Sequence, residues 1–253
     1  MGNARQAKNT REKAAQLRQE AERQQARRRN VTVAVSVLAL LALIIGMTVL
    51  VRTLNAQQKR REAAAAAPPA NLYTATDGLS GVLYGKPAAT VTVTTYEDFQ
   101  CPACQRFEET DSAMLRSYAD QGKIKIVYRP VAILDRASTT NYSTRAGSAA
   151  AAVLNVAPDK YMAFHDALFK AQPEEGSAGL ADAQLLDIAA QAGVPKAAVE
   201  QAITSQKFKG WLAKVTDDFT KKYNSTPTIL VNGTQITDYA PDKLKAAIDK
   251  AIG

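Results

Sequence analysis

The longest hydrophobic stretch in the chain lies near its N-terminus, where Val31–Val51 contains no charged residue. As an α-helix it would extend about 30 Å, which is the thickness of the hydrocarbon core of a bilayer. The apolar core of a signal peptide is shorter, at roughly 7–15 residues. The pattern therefore predicts an uncleaved transmembrane anchor at residues 31–51. A secretory signal cleaved near the small residues Ala64–Ala67 and a buried core helix are the two alternatives.

Hydrophobic positions beyond residue 72 predict an α/β domain. The β-branched run Thr90–Tyr96 predicts a buried strand, and Ile124–Tyr128 predicts another. Between them, apolar positions at helical spacing predict a helix from Pro102 to about Tyr118, with proline in its first turn. A shorter strand is expected at Val82–Tyr84, ahead of the turn at Gly85–Pro87. The strand–helix–strand order predicts two parallel strands joined by a right-handed crossover.

A long helical region separates this unit from the C-terminal part of the domain. Residues 138–223 show apolar positions at helical spacing throughout. The strand pattern returns over residues 228–237, where Asn232-Gly233 is a strong β-hairpin signal. Pro241–Ile252 then predicts a closing helix. We expect a helical subdomain at about 138–223, inserted between the two halves of one α/β fold.

Positive charge is concentrated beside the apolar run. The chain has a net charge of +8, of which residues 1–30 carry +6 and residues 52–62 carry +3, so the remainder is close to neutral. The basic N-terminus predicts a cytoplasmic segment at 1–30 and an extracytoplasmic C-terminal domain. Residues 52–71, which end in alanines and prolines, predict a linker, and residues 72–253 the folded domain. This charge distribution does not predict nucleic-acid binding; the expected non-protein partner is membrane lipid, through the anchor.

The only two cysteines of the chain are Cys101 and Cys104, separated by Pro102 and Ala103. At the start of a helix the first thiol is expected to be solvent-exposed, and the helix dipole favours its thiolate. The second thiol is expected one turn later, shielded beneath the first. Such a pair can exchange a disulfide with other thiols. A tetrahedral zinc site needs four ligands, which two cysteines and the single His165 do not supply. We predict no metal and no cofactor, and place His165 at a helix surface or core edge.

Three motifs carry a resemblance to a known family: Asp98–Cys104, the turn at Gly85–Pro87, and Thr226–Thr228 ahead of the hairpin. Over roughly residues 79–253 the chain resembles the DsbA-like disulfide oxidoreductases of the thioredoxin superfamily. The resemblance implies a thioredoxin-like fold with an inserted helical subdomain.

The same resemblance implies the roles of the site residues. Cys101 is expected to form mixed disulfides with substrates, and Cys104 to resolve them. A cis peptide is expected between Thr226 and Pro227, opposite Cys101, with the Thr226 backbone pairing with the substrate strand; from the residues alone, an ordinary trans turn is the alternative. With Pro102 and Ala103, these two residues form the predicted substrate-binding set. The expected partners are exported proteins that contain cysteines and a membrane quinone-linked reoxidase.

The sequence departs from the family pattern at two positions. Members of the family often carry an acid six residues before the first cysteine, where it is expected to shuttle the proton of the resolving thiol; here that position is Thr95. Glu97 is close by, and we expect it to be a solvated surface charge. Strongly oxidising members often have histidine between the cysteines, whereas this chain has Ala103. We therefore expect a less extreme oxidant.

The predicted function is a membrane-tethered, extracytoplasmic thiol–disulfide oxidoreductase that forms disulfides in exported proteins through Cys101 and Cys104. A reductase or disulfide isomerase of the same fold is the alternative within the class. A tethered binding protein or chaperone that does not use its cysteines is the alternative from another class.

Overall fold

The structure is a computed structural model that describes residue 43 and residues 46–55 and 67–253. The chain divides into two units, Met1–Arg60 and Arg61–Gly253. In the first unit, residues 46–55 are helical (α1) and their apolar side chains are exposed. No helix in the described ranges combines the length and apolar character needed to cross a membrane. The predicted segment 1–30, most of the predicted anchor and much of the predicted linker lie outside the described residues; the linker's residues 52–55 belong to α1.

The second unit is built on a six-stranded sheet with strand order β1-β2-β4-β3-β5-β6. Its strands are β1 (Tyr73–Thr74), β2 (Ser80–Gly85), β3 (Val91–Glu97), β4 (Ile124–Pro130), β5 (Thr228–Val231) and β6 (Thr234–Ile236). β3 and β4 run parallel, as predicted, and all other neighbours are antiparallel. The hairpin between β5 and β6 turns at Asn232 and Gly233, which both have positive φ. The two-residue strand β1 was not predicted.

The described residues of this unit contain seven α-helices. They are α2 (Pro102–Asp120), α3 (Tyr142–Val156), α4 (Tyr161–Lys170), α5 (Asp182–Gln191), α6 (Lys196–Thr204), α7 (Lys209–Thr220) and α8 (Pro241–Ile252). Of these, α2, α7 and α8 pack against the sheet. Helices α3–α7 fall within the predicted helical insert, and α8 has the predicted bounds. Apart from β1, the observed order is the predicted one: β-β-α-β, five helices, then β-β-α.

The central strands bring the candidate site to one end of the sheet. Every residue of β4 is buried, as is every residue of β3 except Thr92. Strands buried on both faces are typical of the middle of a sheet covered on both sides. Helix α2 follows the carboxyl end of β3 after a short loop, so the cysteine pair lies at that edge. On the face where α7 packs, Phe219 contacts Tyr96 and Leu230 in a separate small core.

Candidate active site

The first helical turn of α2 sets the position of the two cysteines. Cys101 is the N-cap residue, with extended backbone angles, and Pro102 occupies the first helical position. A proline is tolerated there because the first helical N–H has no partner inside the helix. The Cys101 carbonyl accepts hydrogen bonds from the N–H groups of Cys104, at 3.0 Å, and Gln105, at 3.1 Å. This start of the helix was predicted, and it places the Cys101 sulfur beside the free N–H groups of the first turn.

The Cys101 thiol faces the loop before β5. It donates a hydrogen bond to the Thr226 carbonyl at 3.3 Å, and the Thr226–Pro227 peptide is cis. The predicted juxtaposition of these residues with Cys101 is therefore observed. A hydrogen bond from the Cys104 thiol lowers the pKa of Cys101 to about 6, and the Thr226 side chain and the backbone N–H groups of Cys104 and Ala103 act in the same direction. Burial opposes this shift.

The two thiols differ in accessibility less than predicted. Both cysteines are free thiols; Cys104 is fully buried, as expected, but Cys101 is only 7 % exposed rather than solvated. Burial raises the pKa of Cys104, and the neighbouring Cys101 and Glu97 raise it further. The two thiols thus differ in pKa: that of the slightly exposed Cys101 is lowered, and that of the fully buried Cys104 is raised.

A family model described as thioredoxin matches residues 78–250. The chain belongs to the thioredoxin family. DsbA of Mycobacterium tuberculosis is 33 % identical, with a TM-score of 0.59 over 68 % of this chain and 93 % of that one. The disulfide bond oxidoreductase DsbG of the same organism is 32 % identical, with a TM-score of 0.60 over 76 % and 92 %. Disulfide bond formation protein D of Bacillus subtilis is 27 % identical over 173 residues, which is 66 % of this chain and 75 % of that protein. The chain is therefore a DsbA-like thiol–disulfide oxidoreductase.

In this thioredoxin-family domain, Asp98 shapes the loop that leads into α2. Its carboxylate accepts hydrogen bonds from the N–H groups of Gln100 and Leu134, both at 2.9 Å, and its carbonyl accepts from the Cys101 N–H at 2.9 Å. Burial raises the pKa of Asp98 to about 6, although the two N–H groups favour its charged form. Asp98 therefore fixes the backbone that leads into Cys101 and joins it to the chain at Leu134.

The helical insert is hydrogen-bonded to the same loop before α2. The Gln172 side-chain amide, just after α4, donates to the carbonyls of Phe99 and Cys101, both at 3.1 Å. The Gln105 side-chain amide donates in return to the Phe169 carbonyl at 2.9 Å. These amide hydrogen bonds join α2 and α4 behind the cysteine pair.

An open pocket of about 170 Å³ flanks the pair on the Ala103 side. Its lining includes Phe107, whose ring lies edge-on to that of Tyr239 with centroids 6.1 Å apart. Asp111, which is 2 % exposed, also lines the pocket, and its Oδ1 has no hydrogen-bond partner in the structure. Of the four residues predicted to bind substrate, only Ala103 lines this pocket.

The expectation that Glu97 is a surface charge is wrong. Glu97 is 4 % exposed, and its Oε2 lies 3.2 Å from Nε2 of His165, which is also buried. Thr95 is fully buried and its hydroxyl has no hydrogen-bond partner. Residues two apart on a strand point to the same face, so Glu97 presents its carboxylate on the face of Thr95. Strand alternation was the sequence signal that could have identified Glu97 as the buried acid.

Glu97, Glu108 and His165 could together offer a metal ion one imidazole nitrogen and two carboxylate oxygens, since these atoms lie within 4.8 Å of one another. The charges present favour hydrogen bonding instead. His165 already pairs with Glu97, and Arg116 contacts Glu108 at 3.1 Å. The cationic Arg116 would repel an added cation.

Proposed function

We propose that this oxidoreductase catalyses disulfide formation in exported proteins, with Cys101 as the exchanging cysteine and Cys104 as the resolving one. The observation that carries the proposal is the placement of the Cys101 thiol at the N-terminus of α2, 3.3 Å from the carbonyl that precedes the cis-proline. A thiolate in that position is a stable leaving group, which favours the oxidising direction.

The reaction follows from the two sulfurs. In the disulfide form, a client thiolate attacks the Cys101 sulfur, the Cys101–Cys104 bond breaks, and Cys104 leaves and takes up a proton. A second client thiolate then attacks the client sulfur of the mixed disulfide and releases the Cys101 thiolate. The client is oxidised by two electrons and the enzyme is reduced by two. The Thr226 backbone and the pocket beside Ala103 are placed to hold the client strand during these steps.

The tether and the location belong to the same proposal. The charge-free run 31–51 has a basic segment before it, and the described helical residues 46–55 expose Met47, Leu50 and Val51. These features support an anchor in lipid with the C-terminal domain outside the cytoplasm. A membrane-impermeant thiol reagent should then label Cys101 in intact, reduced cells. Labelling only after permeabilisation would contradict the location.

Reoxidation completes the proposed cycle. A membrane quinone-linked reoxidase would accept the two electrons and restore the Cys101–Cys104 disulfide. A membrane tether would confine the domain near such a partner and near newly exported chains.

The direction of exchange is tested with the full-length chain in detergent and reduced, unfolded ribonuclease as the client. The disulfide form should oxidise the client stoichiometrically. Cys104→Ala, given scrambled ribonuclease instead, should attack one of its disulfides and accumulate a mixed disulfide at Cys101, because the resolving thiol is missing. In intact cells the pair should be mostly disulfide. A pair that is mostly thiol would favour the reductase, and rearrangement of scrambled ribonuclease without net oxidation would favour the isomerase. A cellular phenotype that survives replacement of both cysteines by alanine would favour the binding protein or chaperone.

A further inference from the structure

A cluster of buried charged groups lies behind the cysteine pair. It brings together Glu97 at the end of β3, Glu108 of α2 and His165 of α4, all of them buried. Each offers an oxygen or nitrogen atom within 4.8 Å of the others. Buried ionisable groups this close are coupled, so a proton gained by one changes the proton affinity of the rest.

His165 is held between two carboxylates. Its Nε2 lies 3.2 Å from Glu97 Oε2 and its Nδ1 lies 3.1 Å from Asp166 Oδ1. Both ring nitrogens therefore donate when the ring is an imidazolium. Burial alone would lower the pKa of His165, but the carboxylates of Glu108, Asp166 and Glu97 raise it well above its ordinary value.

Arg116 supplies the second cation of the cluster. Its guanidinium donates to both oxygens of Asp166, each at 2.6 Å, and to Glu108 Oε2 at 3.1 Å. Its Nε donates to the Tyr128 hydroxyl at 3.3 Å. The groups that face His165 are thus three carboxylates, one guanidinium and the neutral phenols of Tyr128 and Tyr161, whose rings contact the imidazole.

The cluster has room for one more proton. Three carboxylates face two cations, which leaves one excess negative charge in a buried environment. Glu97 Oε1 and Glu108 Oε1 are both buried and have no hydrogen-bond partner in the structure. Burial, and the charge of Glu97, raise the pKa of Glu108 to about 8. A proton on Glu108 removes the excess charge.

The two ends of the cluster meet different surroundings. At one end, Cys104 and Glu108 lie four residues apart on the same face of α2 and both are buried, and the charge of Glu97 raises the pKa of Cys104. At the other end, Glu108 and Asp166 line an open pocket of about 310 Å³, where the Asp166 side chain is 45 % exposed. The buried thiol is therefore connected through charged groups to an open pocket that neither cysteine lines.

We propose that Glu97, His165 and Glu108 form a proton relay between Cys104 and the solvent-filled pocket at Asp166. The proposal rests on the proposed roles of the two cysteines. When Cys104 leaves as a thiolate, it takes the extra proton of the cluster, directly or through one water, and the cluster regains a proton from solvent at Glu108 and Asp166. When Cys104 attacks a mixed disulfide at Cys101, its thiol proton leaves by the reverse route. Only a proton moves through the relay, because the electron pair stays with the sulfurs.

The test uses the full-length reduced chain and oxidised glutathione, which separates two steps. Cys101 attacks glutathione first, and Cys104 then resolves the mixed disulfide; acid quenching followed by mass spectrometry resolves the species. His165→Gln and Glu108→Gln keep side-chain size and polarity but cannot carry the same proton. Each should slow resolution at neutral pH by about tenfold or more and change its pH profile, because loss of general acid–base transfer costs at least this much.

Three controls make the result specific. Tyr161→Phe, in the same buried surroundings, should leave both steps unchanged. The alkylation rate of Cys101 and its pH dependence should stay unchanged in all variants, which a general distortion of the site would not allow. Asp166→Asn, at the exposed end, should slow resolution but recover in concentrated acetate or imidazole buffer; it tests the relay even where the buried variants fail to fold.

Several outcomes would overturn the relay. Resolution with unaltered rate and pH profile in both His165→Gln and Asp166→Asn is one, and an equal slowing of the Cys101 step is another. Stoichiometric binding of zinc or manganese ions that is lost in Glu108→Gln would make the cluster a metal site instead. Because glutathione replaces the client, the relay can hold even where disulfide formation in exported proteins does not.

Discussion

The reduction potential of the Cys101–Cys104 pair should fall with pH along two slopes, with a break near pH 6. Varying the pH is the experiment that reveals this break. Reduction of the disulfide takes up two electrons and as many protons as the two thiols retain. The pKa of Cys101 is lowered to about 6, whereas burial raises that of Cys104. Above about pH 6 the reduced pair therefore holds one proton, and below it two.

The size of the effect follows from this proton count. A two-electron couple shifts by about 30 mV per pH unit for each proton taken up, so the slope should be about 59 mV below the break and about 30 mV above it. Against an ordinary thiol of pKa 9.0, the lowered pKa stabilises the reduced form at neutral pH by ~1.4 kcal/mol, or about 30 mV. This makes the disulfide more oxidising by the same amount.

The assay is equilibration of the full-length chain with glutathione redox buffers from about pH 5 to about pH 8, followed by acid trapping and alkylation of the remaining thiols. The ultraviolet absorbance of the Cys101 thiolate, followed over the same range, should show a midpoint at the same pH as the break. Cys101→Ala removes this absorbance change and is the matched control. A constant slope of about 59 mV to pH 8 would refute the reasoning, because it would mean that Cys101 stays protonated.

Two substitutions test other contacts. Thr226→Val removes the hydroxyl that helps to lower the pKa of Cys101; the pKa should rise and the disulfide become less oxidising, and an unchanged pH profile of Cys101 alkylation would count against this contact. Gly81→Ala places a Cβ 2.5 Å from Val127 Cγ1 and 2.9 Å from the Tyr128 carbonyl oxygen. It should lower the free energy of unfolding, measured in urea, by ~1–3 kcal/mol. An unaltered free energy would contradict this, because it would mean that β2 and β4 can move apart to make room for the methyl group without loss of stability.

The elements that the sequence predicted well are those fixed by local chemistry. The helix that begins at Pro102, the hairpin at Asn232-Gly233 and the helix Pro241–Ile252 each carry a proline or a turn pair that acts within a few residues. The parallel pairing of β3 and β4 followed from the strand–helix–strand order, because a helix between two strands returns the chain to the end of the sheet where the first strand began. The cis peptide at Thr226–Pro227 followed from family resemblance, not from local chemistry.

The features that the sequence did not predict depend on contacts between distant segments. His165 lies in α4, and its burial against Glu97 joins residues 68 positions apart. No local pattern shows that α4 covers the end of β3. The low exposure of Cys101 has a similar origin, because its thiol contacts Thr226, 125 positions away. A helix start considered alone leaves that thiol in solvent.

The burial of Glu97 depends on its pairing with His165. Thr95 replaces the acid that related enzymes often carry, yet Glu97, on the same strand face, has its carboxylate buried in the domain. An isolated buried carboxylate would be unstable at this depth unless a cation or a proton compensated it. The compensation comes from His165, which belongs to the helical insert, and from Arg116 beyond it. The insert therefore does more than cover the sheet: α4 supplies the imidazole that pairs with the carboxylate of Glu97, two residues beyond Thr95 on the same strand face.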